Sequence, residues 1–309
     1  MGNHLPLLII LGPTAIGKTG LAIDIARHLD GEIVGADSRQ IYRYMDIGTA
    51  KPTSEERDQA PHHLLDFINP DEEYTLAQYQ EDAYQAIDAI HVRGRLPLLV
   101  GGTGQYLTAV EEGWSVPRVP PNDTLRDALH AEADQIGVEA FHARLQAVDA
   151  ESASKIHPNN VRRVVRALEV YLETGTPISE LQRKRPPPYR IRILGLTMPR
   201  ESLYARADAR VDQMMLRGFL DEVRRLLDIG YNRDLPSMSA LGYRELIAHY
   251  LDELPLDEAI QRTKNSTHKF IRRQEAWFRG HDNGILWHNI ATFDRTHLLS
   301  QLNNWMQEG

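Results

Sequence analysis

Residues 12–19 read Gly-Pro-Thr-Ala-Ile-Gly-Lys-Thr, a complete match to G-x-x-x-x-G-K-[ST]. The motif works only between a strand and a helix, and both flanks comply. Leu7-Leu-Ile-Ile-Leu11 is an unbroken apolar run of strand length, and Leu21 to Leu29 carries apolar residues at helical spacing. In that context Gly12, Pro13, Thr14, Ala15, Ile16 and Gly17 form a loop whose backbone N–H groups turn inward around phosphate oxygens, at the positive end of a helix. Lys18 adds a point charge, and the Thr19 hydroxyl is placed to ligate Mg²⁺. Such a loop holds a diphosphate or a nucleotide, but it does not by itself mean hydrolysis. A hydrolase usually has a second apolar strand ending in a metal-binding Asp. Leu98-Leu-Val-Gly-Gly102 ends in glycine instead. Ile33-Val-Gly-Ala-Asp37 does end in Asp, but no switch or arginine finger is evident after it.

The remaining pattern extends this architecture. Gly31–Ala36 and Leu96–Gly101 read as further strands, Leu76–Val92 as an amphipathic helix stopped by Gly94, and Ile191–Leu196 as a strand returning to the sheet. Strands alternating with helices imply a mainly parallel sheet. Prolines bracket the middle, at Val116-Pro-Arg-Val-Pro-Pro-Asn122 and at Lys184-Arg-Pro-Pro-Pro-Tyr189, and residues 122–182 between them read helical. The expected fold is therefore α/β. A P-loop NTPase-like core with a mainly parallel sheet takes residues 1–115 and 190–309, mostly helical from Arg200 onward, and a helical domain is inserted over residues 116–189.

Charge qualifies what the insertion is for. The net charge of −8 argues, taken alone, against a polyanionic partner. Yet Lys155 to Arg192 holds nine Lys/Arg against three Glu, and Gln261 to His281 holds six against one. An acidic protein with two concentrated basic segments binds a polyanion through those segments, unless they are only solvated helix faces. The chain has no cysteine, which excludes disulfides, zinc fingers, iron–sulfur clusters and thiolate nucleophiles. No signal peptide or membrane span is readable, so a cytoplasmic, monomeric protein without a membrane or an obligate protein partner is expected.

Seven blocks then occur in order. They are residues 12–19, Asp37-Ser-Arg-Gln-Ile-Tyr-Arg-Tyr-Met-Asp-Ile-Gly-Thr-Ala-Lys-Pro52, Pro61-His-His-Leu-Leu-Asp66, Gly101-Gly-Thr-Gly-Gln-Tyr106, Arg166-Ala-Leu-Glu-Val170, Gly242-Tyr-Arg244 and Arg272-Arg-Gln-Glu-Ala-Trp-Phe-Arg279. With them the chain resembles the tRNA dimethylallyltransferases (tRNA isopentenyltransferases) over nearly its whole length. The resemblance implies transfer of a dimethylallyl group from dimethylallyl diphosphate to N6 of adenosine 37, beside the tRNA anticodon, with diphosphate leaving together with Mg²⁺. It implies catalytic roles for Asp37, Thr103 and Arg210. It implies contacts to the anticodon stem-loop from Asp37, Ser38, Arg39, Gln40, Thr103, Arg126, Arg162, Arg163, Val164, Val165, Arg166, Gly242, Tyr243, Arg244, Arg272, Arg273, Gln274 and Arg279. Two stretches depart from the family pattern: Ser239 stands where Arg is frequent, and Thr267-His-Lys269 where Thr-Arg-Gln is.

The residue chemistry stands beside that. An adenine N6 amine is a weak nucleophile, and a carboxylate accepting its proton helps by roughly 10²–10⁴-fold. Asp37 is the candidate base, a metal-bound Asp or a helix N-cap being its other readings. Thr103 reads either as a hydrogen-bonding group on a glycine-rich turn or as plain turn structure. Arg206 and Arg210, four apart on one helix face, either neutralise diphosphate or pair with Asp208 and Asp212. At 3.6 residues per turn, Arg162, Arg163 and Arg166 share an arc of about 100°, and Lys264, His268, Arg272 and Arg279 a stripe of about 80°. Phe270 and Trp277 read as core, Tyr42 and Tyr44 as core or base contacts, and His62-His63 as packing rather than metal ligands. A small-molecule kinase using the same loop for ATP, and a nucleotide-gated RNA-binding protein without catalysis, are the rival readings.

Overall fold

A computed structural model describes residues 4–117, 119–120, 122–252, 254–281 and 284–308. Arg118 and Pro121 of the proline-rich stretch, and residues 1–3, lie outside these. The chain divides into two compact units, one of residues 1–111 and 188–309 and the other of residues 112–187.

The larger unit opens with β1 (Leu5–Leu11), α1 (Lys18–His28), β2 (Gly31–Ala36), the single turn α2 (Ser54–Arg57), the two-residue β3 (His62–His63), α3 (Leu76–Val92), β4 (Leu96–Gly101) and α4 (Gly104–Glu112). The smaller unit contains α5 (Asp123–Ile136), α6 (Val138–Val148), α7 (Ala150–Lys155), α8 (Val161–Thr174) and α9 (Ile178–Leu181). The chain then returns through β5 (Tyr189–Thr197), α10 (Arg200–Leu216), α11 (Phe219–Asp228), α12 (Tyr243–Asp252), α13 (Leu256–Gly280), β6 (Leu286–Asn289) and α14 (Arg295–Gln307).

The six strands form one all-parallel sheet in the order β3-β2-β4-β1-β5-β6. Because side chains alternate along a strand, one apolar run feeds two cores. Leu8 and Ile10 of β1 face α1 and α14, packing with Leu21, Ile25, Leu298 and Leu302. Leu7, Ile9 and Leu11 face α3 and α4, packing with Tyr79, Ile87 and Leu107. Parallel strands place all their carboxyl ends on one edge, where α/β sheets bind ligands. In register, Leu11 lies beside Gly101 and Gly195, and Ala36 beside Gly101. The loops after β1, β2 and β4 therefore emerge side by side. β6 was not anticipated. Leu286 and Trp287 in this four-residue edge strand stay partly exposed, so it has no alternating burial pattern to read.

The smaller unit carries its own core of Leu129, Phe141, Leu145, Val164, Val165 and Leu168. It begins before Val116, because its ends pair with each other. Ser115 N–H donates to the Arg183 carbonyl at 2.7 Å, and Arg185 N–H to the Gly113 carbonyl at 2.8 Å. No helix among the described residues is long and apolar enough to cross a membrane.

Candidate active site

The loop after β1 is bent by Gly17, whose φ of 104° no side-chain-bearing residue adopts comfortably, and by Ala15 at φ 62°. A non-glycine residue in that region costs about 1–3 kcal/mol and persists only where its surroundings hold it. Two contacts do so from outside the loop's own turn. The Lys18 ammonium donates to the carbonyls of Gly12 (3.0 Å) and Pro13 (2.9 Å). Thr14 N–H donates to Gln274 Oε1 of α13 at 2.8 Å. Burial brings the Lys18 ammonium down to about 8, with the Asp37 carboxylate opposing the shift and Arg210 reinforcing it.

Asp37 and Thr103 meet across the ends of β2 and β4. Thr103 N–H donates to the Ala36 carbonyl at 3.2 Å, and its hydroxyl accepts from Ser38 N–H at 3.0 Å and donates to Ser38 Oγ at 3.3 Å. Asp37 Oδ1 accepts the Arg39 N–H at 2.9 Å, which fixes the carboxylate in an Asx turn. Its second oxygen makes no hydrogen bond to a described residue. Thr103 thus does more than turn the chain: its hydroxyl anchors the segment that carries Asp37.

α10 divides its charges between two directions. Asp212 lies 2.7 Å from Lys264, and Asp208 lies 2.8 Å from His268, both on α13. Arg206 and Arg210 are left without an ion-pair partner among the described residues, so pairing with the neighbouring aspartates is not their role. The Arg206 guanidinium sits over the phosphate loop, where a Cβ built on Gly17 would come 3.3 Å from its Nη2. Burial lowers the Arg210 pKa, and Asp37 counteracts this. Arg210 also lines a cavity with Thr14, Ala15, Thr49, Ala50, Val211 and Met214, so that one cation and several apolar side chains border it.

The wall of that cavity is held by residues the sequence did not single out. Glu222 is 2% exposed and accepts the N–H groups of Asp46 (2.9 Å), Ile47 (2.8 Å) and Gly48 (3.1 Å), and the Tyr243 hydroxyl (2.6 Å). Lys51 Nζ reaches Asp46, Asp66 and the Tyr42 carbonyl within 2.7 Å. Nothing in a stretch such as Phe-Leu-Asp-Glu222 announces a carboxylate that will cap a remote loop.

Several expected RNA contacts are committed elsewhere. Val164 and Val165 are buried in the insertion's core, because they fall on the apolar stripe of α8. Tyr243 is buried against Phe219 with its hydroxyl on Glu222, and Gly242 is buried beside the same ring. Gln40 donates to the Thr49 and Ala50 carbonyls. Gln274 is buried between Thr14 and Gly102. Arg126 and Arg166 both engage Glu169, a carboxylate with no exposed surface, so their guanidinium groups bind the insertion together. Arg272 donates to the Tyr204 hydroxyl, and Arg39 to Pro236 and Ser239. Arg162, Arg163, Arg244, Arg272, Arg273 and Arg279 remain exposed, Arg244 beside Glu245 and Arg273 over the Phe270 ring. Trp277 packs with the sheet and stacks on His281, Tyr42 is buried and Tyr44 exposed, and His63 bonds Glu32.

Comparison with known proteins agrees with this geometry. The chain matches the family profile of the IPP transferases over residues 40–281 and that of the isopentenyl transferases over residues 5–66. It is 58% identical to a tRNA dimethylallyltransferase of Roseiflexus castenholzii over 275 residues, covering 89% of this chain and 90% of the other. Its structure is similar to that of the full-length tRNA isopentenylpyrophosphate transferase of Bacillus halodurans (TM-score 0.73, 39% identity, 98% and 97% of the two chains). It is also similar to a eukaryotic dimethylallyltransferase acting on tRNA (TM-score 0.82, 26% identity, 98% and 80%). The chain has the P-loop NTPase-like fold and belongs to the IPP transferase family.

Proposed function

We propose that this enzyme transfers the dimethylallyl group of dimethylallyl diphosphate to N6 of adenosine 37 in the anticodon stem-loop of tRNA, in the cytoplasm. The observation that carries the reading is the side-by-side emergence of a phosphate loop and an anchored carboxylate from one sheet edge. The loop amides, Lys18, Arg210 and Arg206 hold the diphosphate. The amphipathic cavity beside Arg210 suits a short apolar chain esterified to it.

In the reaction the N6 lone pair forms a bond to the carbon that bears the diphosphate. The bond from that carbon to oxygen breaks, and its electron pair leaves on the diphosphate. Asp37 takes the proton that the amine loses, and Thr103, by fixing Ser38, holds Asp37 in place. Charge developing on the departing oxygens meets cations already in position, which is where electrostatic catalysis is strongest.

The residues fit Mg²⁺. The Thr19 hydroxyl makes no side-chain hydrogen bond to a described residue, and no group of three His, Asp or Glu forms an all-protein cage among the described residues. One hydroxyl plus phosphate oxygens and waters is a donor set this hard cation prefers. When bound, it supplies further neutralisation of the leaving group. RNA phosphates are assigned to the exposed Arg162 and Arg163 of the insertion and to Arg273 and Arg279 of α13.

The test is incubation with Mg²⁺, radiolabelled dimethylallyl diphosphate and unmodified tRNA. Label at adenosine 37 is expected. Transfer of γ-phosphate from ATP, or binding without turnover, would replace this reading by a kinase or a binding protein.

A further inference from the structure

We infer that Gln274 is a positioning residue of the transfer reaction, setting the phosphate loop and the Asp37–Thr103 pair in one fixed geometry. The inference rests on the donor site proposed above. Gln274 lies on α13 in the buried stripe Thr263, Thr267, Ile271, Gln274 and Phe278. The two threonines satisfy their hydroxyls on the helix itself, at the carbonyls four residues back. Gln274 does not. Its Oε1 accepts Thr14 N–H at 2.8 Å, and its Nε2 donates to the Gly102 carbonyl at 2.8 Å.

Those two partners belong to the two halves of the chemistry. Thr14 precedes the strained Ala15 in the loop that holds the leaving group. Gly102 precedes Thr103, whose hydroxyl anchors Ser38 beside the base. The amide, the glycine and Lys18 are packed so closely that a Cβ on Gly102 would come 2.4 Å from Gln274 Nε2 and 3.5 Å from Lys18 Nζ. Displacement by a nucleophile requires base, nucleophile and leaving group at set distances, and small misplacements are costly. One buried amide with both a donor and an acceptor meets that need. A hydrocarbon there would leave Thr14 N–H and the Gly102 carbonyl unpaired.

The test uses Gln274→Met and Gln274→Glu in the full chain. For Gln274→Met, the Kd of inorganic diphosphate with Mg²⁺ and the KM of dimethylallyl diphosphate should rise roughly tenfold, with tRNA Kd within about twofold of wild type. Gln274→Glu supplies a readout that simple packing cannot. As an ionised carboxylate it accepts from Thr14 but cannot donate to Gly102, whereas the protonated acid does both. Burial raises its pKa, and the Lys18 ammonium packed beside the same site opposes that rise. The ratio of variant to wild-type kcat/KM for donor, which reports the free enzyme, should therefore climb as pH falls from 8 to 5.5, while the Gln274→Met ratio stays flat. A flat ratio for Gln274→Glu together with wild-type diphosphate affinity in both variants would reduce Gln274 to filler. Weakened tRNA binding with unchanged diphosphate affinity would make it an RNA contact and overturn the inference. Should the wild-type chain transfer nothing to tRNA, the proposed reaction fails, yet the diphosphate titrations still decide whether Gln274 positions the loop.

Discussion

The phosphate loop and the basic helices are both conspicuous in the sequence, but the structure treats their charges in opposite ways. Around the loop, Arg206 and Arg210 make no ion pair with a described residue, and the Lys18 ammonium hydrogen-bonds only to backbone carbonyls. On the helices, much of the positive charge is consumed within the protein. Arg126 and Arg166 share Glu169, and Lys264 faces Asp212. A desolvated cation without an ion-pair partner, as Lys18 and Arg210 are, is poised for an anionic ligand, whereas a paired one has already spent its charge. Counting cations along a helix therefore overstates its affinity for RNA.

The largest effect that would test this contrast is at Asp37. Asp37→Asn keeps the size and one acceptor but cannot take a proton. Its single-turnover rate should fall by roughly 10²-fold or more, with near-normal tRNA affinity. A wild-type rate would remove Asp37 as the base. Loss of tRNA affinity with little loss of rate at saturation would make it a recognition residue.

Next comes Lys18. Lys18→Ala should raise the donor KM about 10–100-fold, the scale of charged hydrogen bonds, and leave tRNA binding intact. The pH dependence has a definite sign. A Lys18 pKa brought down to about 8 means that the free enzyme loses this charge as pH rises through 8. Diphosphate binds the protonated form better, so donor affinity is full below about pH 8 and falls above it, approaching tenfold per unit. Lys18→Arg should abolish that inflection, and an inflection that persists would assign it to another group.

The same contrast explains what could be read in advance. The loop was legible because eight consecutive residues define it and its flanks, so no distant information is needed. The inner strands β1, β2, β4 and β5 were legible because both faces of a parallel sheet are buried, and the edge strand β6 was not, because its faces are not. The roles of Gln274 and Glu222 were not, since each acts on backbone groups far away in sequence, 260 residues away for Gln274 and Thr14 and about 175 for Glu222 and Ile47. Helical spacing did place Arg162, Arg163 and Arg166 on one arc of α8. It could not reveal Glu169 reaching back to Arg126 and the Asn122 N–H. Hence a split prediction for the insertion. Arg162→Ala with Arg163→Ala should weaken tRNA binding about 3–10-fold and lower the salt slope by up to about 2. Arg166→Ala should instead cost about 1–3 kcal/mol of stability by stripping a partner from buried Glu169. A full salt-slope loss from Arg166→Ala alone would show that its charge is still available to RNA.

The smallest expected effect is at the stripe on α13. Lys264, His268 and Arg272 share one helix face, and each meets α10, at Asp212, Asp208 and the Tyr204 hydroxyl, which lie four residues apart on that helix. The Tyr204 ring also stacks on His268, with centroids 4.0 Å apart. Such a ladder sets the packing of two helices and offers RNA little. Lys264→Ala with His268→Ala should therefore leave the salt slope of tRNA binding unchanged. The stability loss should also be slight. Asp212 is 55% exposed, so its pair with Lys264 is screened by water, and a double-mutant cycle between them should return about 0.5 kcal/mol. A salt slope that falls by about one per residue removed would place phosphates on this face. The distinction between spent and unspent cations would then fail on α13, where, as on α8, both kinds occur.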